Sequence, residues 1–182
     1  GLLDIAVGHH FNSTVDDGAS VPVRLFLNRG EAQFEEVTEA AGLVGLPTKG
    51  PHVELNDMDN DGWPDLFATS YFTSVDESVR TYLGLAHNAA GLKLYKNLGG
   101  GSFRDVTREV GLNKVFMPMG ANFGDLDNDG YLDIYLGTGN PSYASLLPNV
   151  LLRNKDGKSF VDVTASSGTG ELHKGHGVAF AD

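Results

Sequence analysis

The chain of 182 residues is 41% hydrophobic and contains 24 glycines, so it can bury a core of ordinary size while making many turns. Its net charge of −11, from 24 acidic and 13 basic residues, argues against nucleic-acid binding, which requires basic surface. Cysteine is absent, which excludes disulfides and zinc–thiolate sites, and no apolar run approaches the ~20 residues of a membrane-spanning helix.

Five landmarks recur three times along the chain in the same register. A Leu-x-x-Asn segment is followed by Phe six residues after the Asn and by Val-Thr three residues after the Phe. Gly stands eight residues after the Phe, and Asp follows 14 or 15 residues later. A unit of ~60 residues repeated in this way predicts a repeat architecture. We place the repeats at residues 1–48, 49–116 and 117–174, with a further repeat beginning at 175–182.

Each repeat is predicted to contain four short strands, because apolar and polar residues alternate with a period of two. In the second repeat the strands span 52–56, 65–71, a segment ending at Asn97, and 103–107. In the third repeat they span 120–124, 133–137, a segment ending at Asn154, and 160–164. Four antiparallel strands at this period predict an all-β fold of about three β-propeller blades. A β-sandwich is the structural alternative, but it does not explain the register. Residues 1–182 therefore form a single segment of a larger propeller in this interpretation.

The link between the second and third strands is the part that varies in length. It runs from Asp65 to Asn97 in the second repeat and is shorter in the third. Insertions collect in exposed connections, so we expect residues 71–92 to lie on the surface. A short helical turn is predicted there between residues 76 and 87. Asn12-Ser-Thr, an N-glycosylation sequon, lies in the corresponding link of the first repeat.

Two copies of the motif D-x-D-N-D-G-x-x-D stand between the first and second strands of their repeats. Carboxylates at motif positions 1, 3, 5 and 9, with a carbonyl at position 7, form an oxygen cage that suits Ca²⁺. The predicted ligands are Asp57, Asp59, Asp61, the carbonyl of Trp63 and Asp65 in the first loop, and Asp125, Asp127, Asp129, the carbonyl of Tyr131 and Asp133 in the second. A solvated acidic turn is the alternative for one copy, and finding two copies disfavours it. Two bound Ca²⁺ would add four charges and change the net charge from −11 to −7.

The motif begins like an EF-hand loop but ends differently. Position 12, a bidentate Glu in an EF-hand, is Ala68 in the first copy and Leu136 in the second. Apolar strand residues follow in both, so a strand–loop–strand site is predicted. Asp4 aligns with position 9 and Asp182 with position 1, which makes each a partial site. We therefore expect the natural chain to continue past both ends, with self-association through open blade edges as the alternative.

These motifs resemble FG-GAP-like (VCBS) repeats, the calcium-loop propeller blades also found in integrin α-subunit heads. Three stretches are similar to the ASPIC/UnbV-associated, cartilage acidic secreted protein-like branch: residues 116–130, 137–149 and 173–182. The resemblance covers nearly all of the chain. It implies a propeller fold, calcium at both loops and an extracellular or cell-surface location. It implies a scaffold for adhesion, protein interaction or assembly, and it carries over no enzymatic activity.

Other residue groups give weaker indications. His9-His10 and His173-Lys-Gly-His176 could bind a transition metal, but surface histidines in glycine-rich turns are the favoured interpretation. His52 and His176 lie on strands that enter a calcium loop, where a ligand site near the central channel of a propeller is the alternative. Glu54 and Asp76 could serve as paired acids of a polysaccharide-acting enzyme, yet no nucleophile elbow or phosphate loop is present, so we expect no enzyme.

A carbohydrate-binding module is the alternative function. It would use aromatic side chains near the variable loops, although packing between blades at the rim is the favoured interpretation of them: Trp63, Tyr71, Phe72, Tyr82 and Tyr143. The predicted partner is accordingly an extracellular protein or a glycan.

Overall fold

The computed structural model describes residues 2–8, 23–43, 52–70, 74–139, 147–173 and 175–181. This part of the chain forms three separate antiparallel sheets of three, four and four strands. None of its helices is long and apolar enough to cross a membrane. The predicted all-β fold of blade-like sheets is confirmed.

Every sheet is a meander in which strands adjacent in sequence pair with each other, and we call the sheets the first, second and third blade. The first blade contains β1 (Ile5–Val7), β2 (Arg24–Gly30) and β3 (Gln33–Glu36). The second contains β4 (Val53–Asn56), β5 (Asp65–Ala68), β6 (Lys93–Asn97) and β7 (Phe103–Asp105). The third contains β8 (Pro118–Gly124), β9 (Asp133–Thr138), β10 (Val150–Lys155) and β11 (Ser159–Asp162). Two short helices complete the described structure, α1 (Val75–Tyr82) and α2 (Thr164–Ser167).

The fourth strands of the second and third blades end two residues earlier than predicted, at Asp105 and Asp162. Asp105 Oδ1 accepts the backbone N–H of Thr107 at 2.9 Å, and this Asx turn directs the chain away from the sheet. The Thr107 hydroxyl in turn accepts the N–H of Leu94 at 3.0 Å. The third blade has the same turn between Asp162 and Thr164. The repeated Val-Thr landmark is therefore a turn that ties the fourth strand to the third.

The long link of the second blade contains α1, so the predicted helical turn is confirmed and begins within one residue of the predicted position. Ser74 caps it by accepting the N–H of Glu77 at 3.2 Å. Most side chains of the link between Ser74 and Leu92 are exposed or half-buried, as expected for a surface insertion, but Ser78 and Leu92 are buried.

The blades stack face to face through two hydrophobic layers. Strand β5 contributes to both layers, because its alternate side chains point to opposite faces of the sheet. Leu66 belongs to the layer shared with the first blade, and Phe67 to the layer shared with the third. Phe67 meets Phe123 edge to face, with ring centroids 5.1 Å apart. Burial on both faces explains why this strand reads as a continuous apolar run.

The Gly and Phe landmarks contact each other across neighbouring blades. The N–H of Phe103 in the second blade donates to the carbonyl of Ala41 in the first at 2.9 Å. Gly42 follows with φ of 81°, and a Cβ added there would lie 3.1 Å from the Phe103 carbonyl oxygen. Gly111 and Phe160 repeat this arrangement between the second and third blades. The register that defines the repeat is therefore also the register of blade packing.

Candidate metal centres

Three carboxylates converge in each acidic loop. Asp57, Asp59 and Asp61 each offer an oxygen, and these oxygens lie within 4.8 Å of one another. Asn60 lies between Asp59 and Asp61, Gly62 follows Asp61, and the two residues adopt positive φ of 59° and 89°. This backbone conformation turns the chain tightly enough to bring the alternate Asp side chains together. The second loop has the same triad, made of Asp125, Asp127 and Asp129.

Backbone N–H groups fix the orientation of two of the three carboxylates. Asp57 accepts the N–H of Asp61 at 3.1 Å with Oδ1 and that of Gly62 at 2.9 Å with Oδ2. Asp61 Oδ1 accepts the N–H of Trp63 at 2.9 Å. The second loop repeats all three bonds at 3.0, 2.9 and 3.0 Å. Each triad is therefore held by its own loop.

The Asp at motif position 9 makes different hydrogen bonds from the three Asp residues of the triad. Asp65 is 2% exposed and accepts the N–H of Met58 at 3.1 Å and of Asn97 at 2.8 Å. Burial raises its pKa to about 6, against the lowering effect of these two backbone donors. Burial also raises the pKa of Asp133, which has equivalent donors in the third blade. Both carboxylates join the loop to the third strand.

The repeated Asn completes this junction. In three blades its N–H donates to the position-9 Asp, over 2.9 Å for Asp4 and 2.8 Å for the other two. Its side-chain Nδ2 donates to the carbonyl at position 8, which is Leu3, Pro64 or Leu132. Its Oδ1 accepts an N–H from the following hairpin turn. The Leu-x-x-Asn landmark thus exists because its Asn holds the loop, the third strand and the turn together.

A basic side chain enters each triad from the third strand. The Lys96 ammonium bonds to Asp59 Oδ2 and, at 2.8 Å, to Asp61 Oδ2. The Arg153 guanidinium forms ion pairs with Asp127 and, at 3.7 Å, with Asp129. Neither contact was predicted from the sequence, although a base directly precedes the repeat Asn in the second and third repeats.

The donor set fits a hard divalent cation. All candidate ligands are oxygens, and no histidine joins either triad among the described residues. Asp59 Oδ1 is buried and finds no hydrogen-bond partner within the described structure, although its Oδ2 is paired. A buried oxygen without a donor costs free energy unless a ligand satisfies it. Asp57, Asp59 and Asp61, and their counterparts in the second loop, would hold such an ion.

The first loop is part of the interface between two blades. The side-chain amide of Asn60 donates to the carbonyl of Gly130 in the second loop. The turn after β10 packs on the first loop so closely that a Cβ at Gly157 would lie 2.7 Å from the Asp59 Cα. A cavity of about 190 Å³ separates the two blades here, whereas the second loop borders a cavity of about 320 Å³.

Other residues singled out in the sequence are distributed as follows. His52 pairs with Glu54 at 3.2 Å, and Asp76 pairs with Arg80 at 2.9 Å. His173 lies 3.6 Å from a carboxylate oxygen of Glu171. Trp63 is 52% exposed and Tyr82 is also exposed. Several predicted residues lie outside the described part of the chain: His9, His10, Asn12, Tyr71, Phe72, Tyr143 and Asp182.

Comparison with known families agrees with this geometry. A sequence model of the FG-GAP-like repeat matches residues 1–68 and 75–136, which is more than half of the chain. The chain belongs to the FG-GAP-like repeat family. Each matched segment contains one complete acidic loop and at least part of the strand that follows it. FG-GAP repeats indicate a β-propeller-like scaffold for protein interaction. No curated protein matches the chain.

Proposed function

We propose that this protein is a calcium-binding, extracellular β-propeller scaffold that presents its surface to another protein. The observation that carries the proposal is the pair of Asp triads, placed at the same position in consecutive blades of an FG-GAP-like repeat protein. Extracellular fluid supplies Ca²⁺ at the concentrations that weaker loop sites need. A chain without cysteine lacks disulfides, and bound metal is another way of stabilising a secreted fold.

The loops favour calcium over softer metals and over magnesium. Carboxylate and carbonyl oxygens suit Ca²⁺ and Mg²⁺, whereas zinc and copper sites use imidazole or thiolate. An irregular peptide loop of this kind accepts the variable coordination of Ca²⁺ more easily than the strict octahedron that Mg²⁺ requires. The predicted carbonyl ligands of Trp63 and Tyr131 and the carboxylates of Asp65 and Asp133 remain part of this proposal.

Ion binding would stabilise the blade beyond the loop itself. The triad is connected to the third strand through Asp65, which accepts N–H groups from both Met58 and Asn97. An ion in the loop therefore adds to the stability of the loop, the sheet and the blade interface together. Since such a site forms only in the folded chain, its binding free energy becomes folding free energy.

Titration calorimetry tests the site assignment. We expect the wild-type protein to bind two Ca²⁺ and the variants Asp61→Asn and Asp129→Asn to bind one each. Asp76→Asn is the matched control, because Asp76 is an exposed acid paired with Arg80 outside the loops. Two ions bound by either loop variant would contradict the assignment, as would a wild-type protein that binds none.

Two finer assignments belong to the same proposal. Membership of the ASPIC/UnbV-associated branch is the first, supported by the three similar stretches, and a non-enzymatic role is the second, supported by the lack of a recognisable catalytic set. The exposed Trp63 side chain, whose ring lies beside Gly99, supports glycan binding as the second candidate. A glycan array distinguishes the two, because selective sugar binding that is lost in Trp63→Ala favours the carbohydrate module.

A further inference from the structure

We propose that Lys96 and Arg153 are tethered counter-ions, which offset part of the negative charge of the acidic loops in the metal-free protein and must be displaced from them when calcium binds. This inference rests on the proposed calcium site. Both side chains contact two members of a triad, Lys96 through its ammonium and Arg153 through its guanidinium. These two side chains occupy carboxylate oxygens of the triads that would otherwise be free to coordinate a metal ion.

The strand itself does not require a base at this position. In the first blade the equivalent residue is Leu27, and β2 pairs with β1 and β3 in the usual antiparallel way. Arg29, two residues later, pairs instead with Glu35 at 2.6 Å. Strand pairing therefore does not explain the base at this position in the second and third blades, where it contacts the acidic loop.

The burial of Lys96 supports this assignment. Its side chain is only 27% exposed, although a lysine on a surface strand normally keeps its ammonium in water. Lys93 on the same strand pairs with Asp105, so a lysine of β6 can find an acid without entering the loop. The carboxylates of Asp59 and Asp61 hold the Lys96 ammonium within the triad.

A single positive charge has opposite effects on the two states of the loop. Without metal it reduces the repulsion among three carboxylates that lie within 4.8 Å of one another, so it stabilises the metal-free fold. With metal it repels a divalent ion bound to the same oxygens, so it weakens binding. The two effects share one cause, and both should disappear when the charge is removed.

The second site offers a conservative replacement. Arg153 Nε is buried and has no hydrogen-bond partner among the described residues, so only the end of the guanidinium reaches the carboxylates. A lysine can supply the same charge from the same strand, as Lys96 does in the second blade. Arg153→Lys should therefore behave like the wild-type protein, whereas Arg153→Met should not.

Calcium titration of Lys96→Met, paired with melting in excess chelator, tests the inference. We expect one of the two sites to bind Ca²⁺ about three- to tenfold more tightly, because a partly buried charge of like sign is removed, and the metal-free melting temperature to fall. Lys93→Met is the matched control and should leave both calcium affinities unchanged. Lys96→Arg should retain the wild-type affinities.

The outcomes separate this inference from the proposed function. A wild-type protein without calcium binding defeats the proposed function. A wild-type protein that binds two ions, with Lys96→Met binding no more tightly, overturns the counter-ion inference alone. If Lys96→Met fails to fold, Arg153→Met gives the same test at the second loop, where tighter binding supports the inference and unchanged or weaker binding overturns it.

Discussion

The side-chain amide of Asn154 donates a 2.9 Å hydrogen bond to the carbonyl oxygen of Met58, a residue 96 positions earlier in the preceding blade. Met58 is position 2 of the first acidic loop. The same amide donates at 3.1 Å to Leu132, at position 8 of the second loop. One fully buried side chain therefore connects both candidate metal loops.

Replacing this side chain should weaken the protein more than replacing its counterpart in the second blade. Asn154→Ala leaves the buried carbonyl of Met58 and the half-buried carbonyl of Leu132 without this donor, which we expect to lower the free energy of unfolding by about 2 to 4 kcal/mol. Asn97→Ala is the control, because Asn97 donates to Pro64 within its own blade and is only half-buried. Urea unfolding measures both, and equal losses would show that the contact between blades contributes nothing.

The closeness of the blades predicts a large effect at one glycine. Gly157 has φ of 68°, and an added Cβ would lie 2.7 Å from the Asp59 Cα, which is backbone that cannot move aside easily. Gly100 has a similar φ of 63° but open space around it. Both alanine variants should lose about 1 kcal/mol to backbone strain, and Gly157→Ala about 1 to 3 kcal/mol more to overpacking.

Thermal melting of the two glycine variants gives the comparison. Because Asp59 belongs to the first triad, Gly157→Ala should also weaken calcium binding at one site while Gly100→Ala leaves it unchanged. Two variants that melt at the same temperature would be evidence against tight contact between the first loop and the third blade.

Much of this architecture was predictable from the sequence, because the relevant signals are local. The repeated landmarks gave the strands of each blade, and the spacing of Asp57, Asp59 and Asp61 gave the triad. The helical turn in the long link, which is observed as α1, was also predicted from the sequence. Periodicity and loop chemistry depend on neighbours in sequence, which a single chain displays directly.

The rest depends on which segments meet in space. A base precedes the repeat Asn in the second and third repeats, but the sequence alone does not show that the Lys96 ammonium reaches Asp59, 37 residues earlier. The fourth strand was predicted too long, because the Asx turn at Asp105 depends on a side chain rather than on hydrophobic alternation. Contacts between blades, such as Asn60 with Gly130, join residues 70 positions apart and leave no periodic signal.

Removing calcium should destabilise the fold. In excess chelator the three carboxylates of each triad have only one basic side chain to offset their repulsion, so we expect a lower melting temperature. Added Ca²⁺ should restore the temperature, and Mg²⁺ should restore it poorly, since Mg²⁺ demands a tighter octahedron. A melting temperature indifferent to both ions would argue that the loops carry no structural metal.

Lowering the pH should reduce the free energy of unfolding, partly because Asp105 becomes protonated. Burial raises the pKa of this carboxyl, but hydrogen bonds from Lys93 and Thr107 outweigh it, so the pKa is lowered from its ordinary 3.8. A folded pKa below the unfolded one means that the stabilisation is fully present above about pH 4 and is lost as the pH falls through the lower, folded value.

The variant Asp105→Asn removes this titration. Its deficit in unfolding free energy relative to wild type should be constant at neutral pH and should shrink as the pH falls below about 4. Urea unfolding at a series of pH values measures the difference. A deficit that grows in acid would mean that the sign assigned to Asp105 is wrong.

Anomalous X-ray diffraction from crystals grown with Ca²⁺ would locate the bound ions. We expect two anomalous peaks, one among Asp57, Asp59 and Asp61 and one at the equivalent triad of the second loop. In the electron-density map from the same crystals, the Lys96 ammonium should have moved away from Asp59. Well-diffracting crystals in saturating calcium that show no peak at either triad would contradict the account.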